Sequence, residues 1–143
     1  MFRSSNIKRG LLGRGQGLVE FSMIAVVAIL ILFLGIQFAL LGQAALAVGQ
    51  LAYQGARYAS INPDLSSAAV TTWMQGEASP TIANKNSSLT ISVTPDKPRT
   101  FQGTVTVTVT LDPVKQGLIL LPNPFFGIRF GTKISSTQNA MVD

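Results

Sequence analysis

The sequence predicts an α+β fold in which a long N-terminal transmembrane helix continues into a small head with a short helix and an antiparallel three-stranded sheet. Three observations carry this expectation. No charged residue occurs between Glu20 and Arg57, and residues 21–41 are apolar except for Ser22 and Gln37, with Gly35 in the middle. Two later stretches, 89–94 and 105–111, alternate apolar side chains with Thr or Ser, the period of a half-buried strand. Between these signals stands Asn62-Pro63-Asp64, where proline disfavours helical geometry in the residue before it.

The 143 residues suffice for one long helix plus one small domain and not for two independent globular cores. Charged residues make up 12% of the chain and apolar ones 47%; the charged share is about half that of an ordinary soluble domain, which points to membrane association. The net charge of +5 raises the question of nucleic acid, and its distribution answers it. Arg3, Lys8, Arg9 and Arg14 share a stretch with no acid, and the seven remaining bases face six acids. The head carries no basic stripe interleaved with aromatics, so no nucleic-acid partner is expected. Without cysteine there is no disulfide frame and no thiolate metal site, which is compatible with an exported domain.

Residues 21–41, at about 1.5 Å each, reach across roughly 30 Å of hydrocarbon. A secretory signal peptide has an apolar region of only about 7 to 15 residues before a small-residue cut, and this run is longer. Ala45-Leu46-Ala47 does resemble such a cut, so a secreted domain released at Ala47 stands as a rival. Basic residues before a span stay in the cytoplasm, which places the N-terminus inside and everything after the span outside. Glu20 heads the apolar run, where an ionised carboxylate is disfavoured at depth. Taken alone it reads as an interfacial acid favoured by the positive end of the helix dipole.

Its context is more specific. Arg14-Gly15-Gln16-Gly17-Leu18-Val19-Glu20-Phe21 resembles the processing site of type IV-like prepilins, with a basic leader, a Gly, four residues, a Glu and an aromatic. In that family the cut follows the Gly. Placing Glu20 fifth in the mature chain selects Gly15 over Gly13 and Gly17 and makes Gln16 the new N-terminus. The resemblance implies that the freed amine of Gln16 pairs with Glu20 of its own chain or of an adjacent subunit, with Glu20 and Phe21 setting subunit registration. A second block, Gly55-Ala56-Arg57-Tyr58-Ala59, follows about 35 residues after Glu20 and resembles the corresponding stretch of TadE-like pseudopilins of tight-adherence (Flp, type IVb-like) pili. One departure is Val26, where many such chains carry a proline, and the kink that proline gives is not expected here.

The resulting division is a cleaved leader over 1–15, a transmembrane and extended helix over 16–61, and an exported α+β head over 62–143. Major subunits of the pili it resembles are much shorter than the 128 residues that follow removal of the first 15, so the length points to a minor subunit. The implied partners are a prepilin peptidase, other pilin and pseudopilin subunits, the inner-membrane assembly platform and membrane lipid. No small-molecule substrate and no cofactor is expected.

Beyond the span, Ala45 and Gly49, Ala52 and Ala56, and Gly55 and Ala59 stand four apart, a spacing that allows close helix contact, either with the chain's own head or with another subunit. Arg57 reads as a surface charge. A second helix follows Pro63, capped by Ser66 or Asp64, with Ala69, Val70, Trp73 and Met74 near one face and Trp73 in the core. The strands over 89–94 and 105–111 pair antiparallel around a wide loop over 95–103, and residues 132–142 add a third strand. The apolar segment 118–130, interrupted by Pro122 and Pro124, either closes the core or docks on a partner subunit or the bilayer surface.

No catalytic constellation is present: histidine and cysteine are absent, and Asp64, Glu77, Asp96, Asp112 and Asp143 are scattered singly. Gly13-Arg14-Gly15-Gln16-Gly17 follows no strand and precedes a span, unlike a phosphate-cradling loop. The sequence therefore points to a structural pilus subunit; the main rival is an unprocessed single-pass envelope anchor with an exported partner-binding head.

Overall fold

The computed structural model describes residues 9–142, with side chains described from residue 15 onward. Arg3 and Lys8 of the expected leader lie outside the described residues, as do the side chains of Arg9 and Arg14. The elements are α1 (Arg9–Ile61), α2 (Ser67–Glu77), β1 (Leu89–Thr94), β2 (Thr104–Leu111), α3 (Pro113–Gln116) and β3 (Ile134–Met141). They form two compact units, Met1–Ile36 and Gln37–Asp143.

In the first unit, α1 is apolar on all sides and exposes what it carries. Leu18 and Phe21 are 72% and 71% exposed, and Met23, Ile24, Val27 and Ile31 are exposed as well. Only 6% of the most apolar 18-residue window is buried, the reverse of a soluble core helix. Ser22 satisfies its hydroxyl within the helix by donating to the Leu18 carbonyl at 2.8 Å. A helix that closes all its hydrogen bonds internally is suited to hydrocarbon, and residues 18–36 cover roughly 28 Å at about 1.5 Å per residue. This is the candidate membrane span of the chain.

The second unit begins at Gln37 and uses the rest of α1 as its central support. Ala44, Val48, Leu51, Ala52, Ala56 and Ala59 recur every three or four residues and are buried, so one stripe of α1 faces the head core. The helix stops before Pro63, with Asn62 Nδ2 donating back to the Tyr58 carbonyl at 2.9 Å. Ser66, one of the two candidate caps, opens α2 by accepting from the Ala69 amide at 3.2 Å. Val70 and Met74 of α2 are fully buried, Trp73 is partly buried, and Ala69 faces outward, so the apolar face is narrower than the sequence implied.

The sheet has strand order β1-β2-β3 and both pairs are antiparallel. In the register Val93↔Val107, Ile91↔Val109 and Leu89↔Leu111, the apolar residues of β1 and β2 share a face, and Val105, Val107, Val109 and Leu111 are fully buried on it. β3 pairs along the whole of β2, from Thr104↔Met141 to Leu111↔Ile134. Ala140, Gln138, Ser136 and Ile134 stand opposite the four buried residues of β2, and Ser136 Oγ lies 4.0 Å from where a side chain on Gly49 would begin. On the opposite face, Thr108 bonds Thr137 at 3.0 Å and Thr110 bonds Ser135 at 3.1 Å.

The sequence did not announce α3. Asp112 caps it by accepting from the amides of Val114 and Lys115, Pro113 occupies its first turn, and Gly117 ends it at φ 79°, a conformation natural to glycine. A buried network beside it joins Ser88 Oγ to Gln116 Oε1, and Gln116 Nε2 to the Thr81 carbonyl at 3.0 Å. The polar 79–88 loop also buries Ile82 in the core.

Candidate functional site

The residues singled out by sequence fall in two places on α1. Gly15, Gln16, Glu20 and Phe21 lie in its first part and are all exposed. A side chain added at Gly15 would meet nothing within 4 Å among the described residues, so no packing among them requires glycine there. Nothing among the described residues gathers Glu20 into an acidic or metal-binding cluster, since no group of three or more His, Cys, Asp or Glu forms.

The second place is the 55–59 block, and there the packing gives each residue a reason. Gly55 is buried directly beneath Met74 of α2, whose Sδ and Cε occupy the space that a Cβ would need. Ala56 and Ala59 are buried on the same face, so small side chains let α2 and the sheet approach the helix closely. Tyr58 stacks on Trp73 with ring centroids 4.0 Å apart and planes 9° from parallel. Arg57 points away and is exposed. Of the remaining small residues, Ala52 is buried in the head, Gly49 is partly buried and Ala45 is exposed. The close contact that the spacing allowed is thus made, for Ala52, Gly55, Ala56 and Ala59, with the chain's own head.

Two further residues hold the head to α1. Gln37, which interrupts the apolar run in sequence, is fully buried in the second unit, donating from Nε2 to the Leu118 carbonyl at 3.0 Å and accepting at Oε1 from the Leu120 amide at 2.8 Å. The sequence placed residue 37 within the span; its side chain instead spends both hydrogen-bonding ends on the 118–120 backbone. Arg99, in the β1–β2 loop, is only 5% exposed. Its Nη1 donates to the carbonyls of Leu65 at 3.0 Å, Asn62 at 3.3 Å and Ala59 at 3.5 Å, and its Nε to Pro95 at 3.1 Å. A guanidinium at the carbonyl end of α1 both satisfies the orphan acceptors there and meets the negative end of the helix dipole.

Asp96, three residues before Arg99, accepts at Oδ1 from the amides of Ser67 at 2.7 Å and Lys97 at 2.9 Å. These two N–H groups, aided by the charge of Arg99, hold the carboxyl below its ordinary value of 3.8. The loop read from sequence as a wide turn is therefore a brace between the C-terminus of α1 and the N-terminus of α2. Neither Gln37 nor Arg99 was found by motif; the available signals were a lone amide in an uncharged run and a cation directly after the second of two loop prolines.

The arrangement is an exposed apolar helix with an acid at its head, followed by a helix stripe locked into a folded domain. No curated protein and no solved structure matches the chain. Residues 15–57 match the family of TadE-like proteins, a segment that starts at the glycine before Gln16 and ends at the arginine of the second block. Over that segment, 43 of the 143 residues, the chain is similar to TadE-like proteins.

Proposed function

We propose that this chain is a minor pseudopilin, a structural subunit required for assembly of a tight-adherence pilus. On this reading a prepilin peptidase removes residues 1–15 after Gly15. The helix then holds the subunit in the inner membrane with the N-terminus cytoplasmic and the head exported, and Glu20 registers the helix against other pilin or pseudopilin subunits at the assembly platform. The observation that carries the proposal is the family match over residues 15–57, because it takes in both the acid-headed apolar run and the Gly55-Ala56-Arg57 block. Two facts support it: Gly15 has no packing role among the described residues, and Glu20 and Phe21 are exposed at the head of the candidate span.

The role assigned to Glu20 is a charge interaction inside an apolar layer, where an unpaired carboxylate is disfavoured and a partnered one is specific. Replacing it should therefore affect assembly rather than folding. Glu20→Ala is expected to leave leader cleavage and membrane insertion intact while abolishing surface pili, scored by electron microscopy and by shearing of filaments from cells. Normal piliation in that strain would defeat the registration role.

A further inference from the structure

The segment after α3 combines three features that neither the family match nor the pilin reading explains. The first is an exposed apolar tip. Phe125 and Ile128 close a tight turn by exchanging two backbone hydrogen bonds, at 3.0 and 2.9 Å, and Phe126 and Gly127 between them both have positive φ, 46° and 81°. Such a turn favours Asn-Gly or Gly-Gly, so a phenylalanine in the left-handed region is held there against its own preference. It is 82% exposed, with Leu120 and Ile128 also exposed nearby in sequence.

The second feature is anchorage. Phe130 is buried and meets Phe38 edge-on at 5.9 Å, Asn123 Oδ1 accepts from the Phe130 amide at 3.3 Å, and Gln37 binds both Leu118 and Leu120. The base of the segment is thus fixed to residues 37 and 38, the first of the head unit and the next in the chain after Ile36. In the chain, residues 37 and 38 directly follow the exposed apolar stretch of α1. The third feature is charge. From Pro113 to Val142 there is no acid, while Lys115, Arg129 and Lys133 are exposed. Gly131 packs tightly against Val114, which keeps α3 and its Lys115 beside the segment.

We propose that this segment is a bilayer-docking element: the Phe126 tip enters the interfacial layer of the membrane that α1 crosses, and Lys115, Arg129 and Lys133 meet anionic lipid headgroups around it. An exposed aromatic suits the interface, and a basic flank adds attraction to anionic lipid. The inference rests on α1 as a membrane span and not on pilus assembly. Burial of the tip in the core is already excluded by its exposure, and the absence of acids favours an anionic surface over a second copy of this basic segment.

The chain has no cysteine, so single nitroxide labels can be placed in the full-length protein reconstituted in vesicles of phosphatidylcholine with or without phosphatidylglycerol. Labels go at Phe126→Cys, at Ile29→Cys within the span, and at Lys97→Cys in the loop that braces the end of α1. The expected result is a ratio of oxygen to nickel-chelate accessibility at position 126 several-fold above that at position 97. It rises further with phosphatidylglycerol and falls back when Arg129 and Lys133 are both changed to Gln. A label at 126 as water-exposed as that at 97, or one shielded only as the protein-to-lipid ratio rises, overturns the proposal, the second outcome pointing to contact between copies. The label at position 29 separates the failures: if it lies in lipid while 126 does not, only the docking element is wrong, whereas if it too is in water the span itself is wrong.

Discussion

Arg99 shows how a single side chain can carry the geometry of the head. Its guanidinium is buried, and one of its nitrogens reaches the carbonyls of Ala59 in the last turn of α1 and of Asn62 and Leu65 just beyond it, so removing it leaves buried and half-buried acceptors without that donor. Arg99→Met keeps most of the volume and none of the hydrogen bonds; a loss of about 2 to 4 kcal/mol is expected, read as a lower urea midpoint of the detergent-solubilised chain. Asp96 makes a smaller, pH-dependent contribution. Because its folded-state pKa lies below the ordinary 3.8, its stabilisation is fully present above that value and is lost as pH falls through the lowered one. Wild type should therefore exceed Asp96→Asn in stability at neutral pH, and the gap should close below about pH 4. A gap that stays constant down the acid limb would remove the charge from the explanation. Neither residue was legible in sequence as more than a loop charge, because burial of a polar group depends on which carbonyls converge on it, and those come from positions 59 to 65. Gly55 lay in a recognised block, yet the reason for it, Met74 of α2, is a contact that no local pattern displays.

Among the elements, legibility followed periodicity. The alternation in β1 and β2 located both strands, and the register puts their apolar residues on one face, as period-two patterning requires. β3 is polar on both sides apart from Ile134, Ala140 and Met141, so its sequence indicated a strand only by the need for a third partner; its place is set by pairing with all eight residues of β2. The end of α1 was written in Asn62-Pro63, whereas α3 was too short for any period to show and rests on capping by Asp112 and Gly117. Gln37 joins two elements that sequence kept apart, the helix and the 118–130 segment. Gln37→Leu leaves the Leu118 carbonyl and Leu120 amide unpaired, at a cost of about 1 to 3 kcal/mol. Amide exchange at Leu120 should accelerate by about tenfold or more, with exchange in β2 little changed. Equal acceleration in both places would mean that Gln37 supports the whole head rather than this junction.

At the scale of the molecule, the two units answer to different solvents. In the first, apolar side chains on every side of α1 are exposed, which is stable only where the surroundings are apolar; in the second, the same helix presents a small-residue stripe to a core of Val, Leu and Met. One helix therefore supplies both the candidate membrane span and the central support of a folded head, and the stretch similar to TadE-like proteins, residues 15–57, runs through both parts. The proposed processing makes Gln16 the first residue of the mature subunit, which would place Glu20 fifth in a chain freed of its basic leader. N-terminal sequencing and intact mass of the membrane-extracted protein, from cells with and without their prepilin peptidase, test it directly. A start at Gln16 that depends on the peptidase is expected; a chain that retains Met1 in both strains would overturn the proposed processing and leave an unprocessed envelope anchor.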